Sequence, residues 1–355
     1  MNLFKRKEKA TGEILAGGES AIANKEVEGL SQGQIVRRRF FRHRAAVGAL
    51  VVLTSLIVFV MTALDSKIGP IRIPGWWKWT VEDIPALRFE DCPGGTTGCP
   101  TLSLKPGSSF GLGTHPFGQD DIGRDYFALV MNGARRSLMI MFVIGAVAGF
   151  IGVVVGSIAG FYGKMVDAIL MRLVDFIQTV PAIIIAAVIG KAAGKVGPLY
   201  LALFLGILGW TGLARLVRAQ FLSLREMEFV DAARVAGASN IRIAFKHILP
   251  NAVGQIIVAV TLIMAGAILT ETALSYLGFG VVAPDVSLGL LISQYESSFT
   301  TRPWLFWWPG LFIISIALCV NFIGDGLRDA FDPRQRRRIT KKDRLQAKVQ
   351  AKAGA

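Results

Sequence analysis

The sequence predicts an all-α membrane protein built on six transmembrane helices. Three observations carry that prediction. Six apolar runs follow one another, at 45–64, 138–160, 167–189, 199–217, 252–277 and 306–324, each close to the roughly 20 residues that cross a hydrocarbon core. Mean hydropathy is +0.50 and only 18% of residues are charged, a membrane composition. The net charge of +14 is unevenly placed: residues 1–44 carry +5, 215–250 carry +3 and 327–355 carry +7, while 66–125 carry −1. In a six-span layout the basic segments share one side, as the positive-inside bias requires. The basic balance therefore points to a membrane and not to nucleic acid. Both termini are expected in the cytoplasm, on the inner face of the cell membrane.

Residues 1–34 read as a disordered cytoplasmic tail, charged and without periodicity. No cleavable signal peptide is expected, because the first apolar run starts only near Ala45. Residues 35–64 hold a juxtamembrane helix and the first span. Five arginines and two phenylalanines between Gln34 and Arg44 suit a helix on the membrane surface; a plain charge cluster ahead of the span accounts for them equally well.

Residues 65–136 are expected to form an external loop, rich in Pro and Gly, with Trp76, Trp77 and Trp79 placed for an interfacial belt. Cys92 and Cys99 bracket its CPGGTTGC stretch. On the oxidising side of a membrane such a pair forms a disulfide or stays as two thiols; His115 is the nearest histidine, too few ligands for a metal.

Residues 137–326 make a five-helix core. In the second span Gly145, Gly149, Gly152, Gly156 and Gly160 recur at helical spacing, which puts small residues on one face for close packing. The third carries Asp167, Arg172 and Asp175, and the three-residue spacing of the last two allows a pair on one face. Pro181 kinks it, beside Gln178 and Thr179, which are candidates for a polar path. Gly197-Pro198 marks an outer turn before the fourth span, and Arg215, Arg218 and Arg225 mark its inner end. Glu271, toward the outer end of the fifth span, is a third path candidate, because intramembrane acids are functional by default. Ser287 to Ser298 alternates like a short amphipathic helix in the last outer loop. Trp304, Trp307 and Trp308 sit at the next interface, and residues 327–355 form a basic cytoplasmic tail.

The loop at 218–251 stands apart. It is polar and basic between two apolar runs, and helix-forming sequence flanks a break at Gly237-Ala238-Ser239. Ser239 suits the N-cap of a second short helix, and Pro250 the first turn of the next span. A helix-break-helix of this kind is built to be gripped by another protein.

Asp231-Ala232-Ala233, then Gly237, then Ile248-Leu249-Pro250 resembles the EAA loop of ABC importer permeases, with Asp for Glu and His247 where the pattern has Ile. His115-Pro116-Phe117-Gly118-Gln119-Asp120 through Gly123-Arg124-Asp125, Gly133-Ala134-Arg135-Arg136-Ser137-Leu138, and Gly324-Asp325-Gly326-Leu327-Arg328-Asp329-Ala330 resemble the dipeptide, oligopeptide and nickel permeases, in their C-type subunit. The resemblance covers roughly residues 35–335. It implies the type I ABC importer permease fold, and a cytoplasmic coupling loop whose docking residues are Asp231, Ala232, Ala233, Arg234, Gly237, Ala238, Ser239, Asn240, Ile248, Leu249 and Pro250. It also implies a second permease subunit, one or two ATP-binding subunits and an external solute-binding protein, with lipid around the spans. Peptide uptake by alternating access is the expected function; nickel or another small solute is the alternative within the family.

The residues themselves add that the chain lacks an engine. The Gly-Lys pairs at 163–164, 190–191 and 194–195 lack the rest of a phosphate-binding loop. ATP and Mg would be bound by the partner ATPase, with no cofactor, metal or covalent catalysis on this chain. A stand-alone secondary transporter would show an inverted repeat, and a membrane scaffold would leave the glycine seam unexplained.

Overall fold

The computed structural model describes residues 32–68, 71–88, 92, 96–102, 113–193 and 196–331; of the tails expected at 1–34 and 327–355, residues 1–31 and 332–355 lie outside them, while 32–34 and 327–331 continue as helix. Two units are distinguished. One contains helix α1 (Gln32–Arg42) together with residues from Arg328 onward, and the other runs from His43 to Leu327.

In the larger unit the first span is α2 (Arg44–Ala63). His43 interrupts the helical backbone ahead of it, and its Nδ1 accepts from the Ala46 N–H at 3.1 Å. This cap starts α2 as a separate helix. Two short antiparallel strands follow, β1 (Ser66–Ile68) and β2 (Ile71–Ile73), with Ser66 opposite Ile73. The second span is α3 (Tyr126–Tyr162), longer than expected. It begins inside the stretch read as external loop, so Arg135 and Arg136 lie on it and not in a separate surface helix.

The third and fourth apolar runs are each broken. α4 (Lys164–Thr179) and α5 (Ala182–Ala193) meet at 75° across Val180-Pro181, and α6 (Pro198–Leu208) and α7 (Thr211–Arg225) meet at 43° across Gly209-Trp210. The first break follows from Pro181, which cannot donate to the ladder and restricts the residue before it. α8 (Glu228–Val235) and the short α9 (Asn240–Arg242) form the polar loop. A π-helical segment, Ile243–Ile248, then leads into α10 (Leu249–Tyr276). The segment after α10 holds α11 (Leu288–Tyr295), capped by Ser287 Oγ on Leu290 N–H, and α12 (Trp304–Phe331) is the final long helix. Among the described residues, four helices are long and apolar enough to cross a membrane, and six spans result if each bent pair counts as one. The helical membrane architecture expected from the sequence is observed, with one short two-stranded hairpin beside the helices.

The glycine face of α3 decides the packing. A Cβ on Gly156 would lie 2.5 Å from the Ala214 carbonyl oxygen, and one on Gly160 2.7 Å from that of Arg218. Both oxygens belong to α7, so two helix backbones touch where a side chain would hold them apart. Gly152 meets Leu213 of α7, and Gly145 and Gly149 meet Met264 and Val260 of α10. α3 is thus the central post, wedged between α7 and α10.

Candidate functional site

Three polar assemblies stand out. The first is the loop after α7. Its opening helix α8 ends in a Schellman motif: Gly237 N–H bonds Arg234 O at 2.9 Å, and Ala238 N–H bonds Ala233 O at 3.0 Å. Gly237 takes φ +79, the left-handed region where a side chain is strained. Ser239 then accepts from Arg242 N–H and starts α9, and Pro250 sits in the first turn of α10.

Burial sorts the residues of this loop into two sets. Val230, Ala233, Ile243 and Ile248 are buried against Leu213, Val217 and Phe221 of α7 and Ala252 and Ile256 of α10. Val235, Ile241 and Phe245 stand out at 90%, 67% and 65% exposure. Of the predicted docking residues, Asp231, Ala232, Arg234, Gly237, Ser239, Asn240 and Pro250 are exposed, Ala238 and Leu249 are half-buried, and Ala233 and Ile248 anchor the loop from beneath. Asp231 and Arg234 pair across one helical turn at 2.9 Å. Sequence reasoning missed Val235, Ile241 and Phe245; apolar side chains in an otherwise polar loop were the available signal. The π segment accommodates an extra residue, and it covers the place where Ile248 stands one position later than in the resembled pattern.

The second assembly joins α4 to α7. Arg218 holds Asp167 through two parallel bonds, Nε to Oδ1 and Nη2 to Oδ2. Arg215 holds Asp175 through one bond, Nη2 to Oδ1 at 2.5 Å. The pair expected between Arg172 and Asp175 along α4 is not formed; Asp175 reaches across to α7 instead, where Arg215 offers a better approach than a neighbour on the same helix. Gln178 Nε2 donates to Thr211 Oγ1 at 2.9 Å, while Thr179 Oγ1 turns back to Phe176 O. Both Gln178 and Thr179 are exposed. Just past the two helix breaks lies a cavity of about 580 Å³ with Ala182, Leu205, Gly209, Ile263, Gly266 and Thr270 in its wall. Arg225 closes the end of α3, bonding Gly160 O at 3.3 Å and Phe161 O at 3.2 Å.

The third assembly is the knot made by 115–125. Asp125 accepts from Ala128 N–H at 2.9 Å, caps α3, and takes Trp77 Nε1–H at 2.7 Å and His115 Nδ1 at 2.8 Å. Trp79 stacks on His115. Two of the three tryptophans read as a belt are thus held by polar partners, Trp77 by Asp125 and Trp79 by the Thr114 carbonyl. Arg124 pairs with Asp120, and the same carboxylate accepts from Tyr295 of α11 at 3.1 Å. Burial and the Asp120 charge hold the Tyr295 hydroxyl well above its usual range. Gln119 is fully buried, bonding Ala86 O and Gly123 O. The Cys92 and Cys99 sulfurs are bonded at 2.15 Å, and Gly98 beside them pairs with Gln119 through backbone N–H and C=O. Arg135 donates to Met61, Leu64 and Asp65 carbonyls at the end of α2, where a cation meets the negative end of the helix. Arg136 pairs with Asp285.

Glu271, the third path candidate, lies inside the helix packing of this subunit. It is fully buried and accepts from Ser137 Oγ of α3 at 3.0 Å and Ser275 Oγ at 2.8 Å. Those serines in turn accept from Leu288 N–H and Val281 N–H. Its network joins α3, α10 and the start of α11, a structural role that an outward view of the fifth span had not revealed. Replacement by Gln keeps one of the two acceptor oxygens and puts a donor in place of the other, which a serine oxygen can accept, and is expected to leave the chain stable. Leu strands buried hydroxyls and is expected to cost about 2–3 kcal/mol, read as a lower thermal midpoint of the purified chain.

The family model described as "Binding-protein-dependent transport system inner membrane component" matches residues 152–337, more than half the chain. A second, for the N-terminal transmembrane domain of oligopeptide transport permease C, matches 31–65. The oligopeptide transport system permease protein OppC of Escherichia coli K12 is 36% identical over 311 residues, 88% of this chain and 94% of that protein. The chain belongs to the binding-protein-dependent ABC transport permease family. The same-named proteins of Haemophilus influenzae and Mycobacterium bovis are 35% and 37% identical, over 89% and 86% of this chain and 93% and 96% of theirs. A chain from the inward-facing MetNI methionine ABC transporter aligns with a TM-score of 0.47 at 20% identity, over 57% of this permease and 96% of that chain. The family is an inner membrane component of a multi-part transport system, and membership makes this chain a permease subunit, not a catalytic one.

Proposed function

We propose that this permease is one of two membrane subunits of an ATP-driven importer that takes up di- or oligopeptides handed over by a solute-binding protein. The relatives named for oligopeptide transport, matched over nearly their whole length, support the solute class. The observation that carries the coupling is the loop after α7: a buried base of Val230, Ile243 and Ile248 presents Val235, Ile241 and Phe245 outward. Exposed apolar side chains on a rigid helical pair call for a partner, here the ATPase subunit. Asp231, Arg234, Ser239 and Asn240 form the polar rim of that docking surface.

ATP binding brings the two ATPases together and carries their docked loops with them. α7 runs straight from the loop to the cavity and follows. The solute path runs between the two permeases past Gln178 and Thr179, opening outward with ATP bound and inward after hydrolysis. Both termini and the docking loop face the cytoplasm, and the disulfide-bonded knot faces the solute-binding protein.

The test is gentle purification from native membranes followed by peptide uptake with the recovered subunits. Recovery of an ATPase, a second permease and a solute-binding protein, with ATP-dependent uptake of tri-alanine, is the expected result. A chain that purifies alone under conditions preserving other complexes overturns the reading, as does an assembled complex that imports nickel and no peptide.

A further inference from the structure

We propose that Asp175 and Arg215 are a solute-recognition pair on the path, exchanging their mutual bond for the charged termini of a passing peptide. The inference rests on the peptide-importer reading. Its starting point is the contrast between the two ion pairs that join α4 and α7. Arg218 and Asp167 are linked by two bonds, with side chains 33% and 16% exposed. Arg215 and Asp175 share one bond and are 46% and 51% exposed. The first is a strap. In the second, about half of each side chain is exposed, and Asp175 Oδ2 takes no part in the bond.

Depth makes that exposure informative. Arg215 lies seventeen residues after Pro198, the first residue of α6, or about 26 Å along an unbent helix at ~1.5 Å per residue. The 43° bend shortens the distance across the membrane. The pair therefore sits within a hydrocarbon core of about 30 Å. Charges at that depth do not face lipid; they face a protein interior or a water-filled space. The neighbouring surface is mixed: Gly212 and Ala219 on α7 and Arg172, Gln178 and Thr179 on α4 are exposed, and so are Leu173 and Phe176 on α4. Toward the outer side the same wall continues into the cavity at Gly209 and Ala182. Both helices are broken there, and irregular backbone at membrane depth occurs where it lines a cavity.

A short peptide brings an ammonium at one end, a carboxylate at the other, and side chains of any kind between. Opposite charges with unused valence, below an apolar cavity, match that chemistry without selecting a side chain. A single weakly held bond is also suitable for exchange, since a path must release what it binds.

The test uses inside-out vesicles carrying the complete importer with Gln178→Cys, labelled by a membrane-impermeant thiol reagent. Labelling is expected, tri-alanine is expected to slow it about tenfold, and N-acetyl-tri-alanine amide, which lacks both terminal charges, is expected to leave it unchanged. Adding Asp175→Asn or Arg215→Gln is expected to abolish the protection while the amounts of permease and bound ATPase stay constant. Absence of labelling would place the face against protein and overturn the proposal. Equal protection by the blocked peptide, or protection that survives both substitutions, would overturn it too. Failure of the peptide reading shows separately, as a wild-type importer that takes up no short peptide when supplied with its binding protein.

Discussion

Gly156→Val is expected to leave almost no assembled permease in the membrane. Its Cβ would fall 2.5 Å from the Ala214 carbonyl oxygen and 2.7 Å from the Val217 Cβ. Neither neighbour is the free end of a flexible side chain, so α3 and α7 must separate. Overpacking costs about 1–3 kcal/mol when side chains can adjust; displacing a helix backbone places this case at or above the upper end. Separation also exposes the Gly152 and Gly160 contacts on the same face, so the damage spreads along the seam. Gly212→Ala is the matched control: a Cβ there meets nothing within 4 Å, and alanine favours the helix. Immunoblots of membrane fractions and thermal melts in detergent read the difference. A Gly156→Val chain present at wild-type level with an unchanged melt would show that α3 and α7 are not packed as described.

Gly237→Val is expected to give the opposite phenotype, a chain that inserts and folds but does not transport. Nothing lies within 4 Å of the position a Cβ would take, so bulk is not the obstacle. The cost is local and conformational: φ +79 is disfavoured by about 1–2 kcal/mol for a residue with a Cβ, more for a β-branched one. Relief means unwinding the Schellman turn, which re-aims α9 and Phe245 relative to α8 and Val235. Uptake is expected to fall about tenfold or more, equivalent to ~1.4 kcal/mol of lost coupling, while membrane levels hold. Asn enters the left-handed region more readily and is expected to retain most uptake. Wild-type transport by the Val variant would remove the turn from the coupling path.

Much of this was legible in the sequence, because membrane insertion constrains the chain strongly. Apolar runs and basic residues are enough to mark the spans. The glycine spacing in the second run implies close packing, though not that α7 is the helix on the other side. The helix-break-helix of the loop was readable from Gly237 and Ser239, whose roles are local. Long-range pairing was not. Asp175 has Arg172 three residues away and Arg215 forty, and spacing alone favours the neighbour; only the packing of α4 on α7 makes the distant partner closer. The partners of Glu271 were hidden for a similar reason. An acid in an apolar run signals importance, but its partners lie on α3 and around α11, remote in sequence. Pro181 announces the first helix break, whereas no comparable residue announces the one at Gly209-Trp210.

The bare contact between α3 and α7 has a consequence for timing. Side chains between helices act as springs: they change rotamer, absorb small displacements and let one element lag behind another. Where carbonyl oxygens of one helix sit against glycine Cα atoms of the next, that slack is absent, and the two helices share a single rigidity. α7 is also the element that enters the loop at Glu228 directly. Under the coupling proposed above, a push at the loop is expected to move α3 and α7 together, as one lever arm.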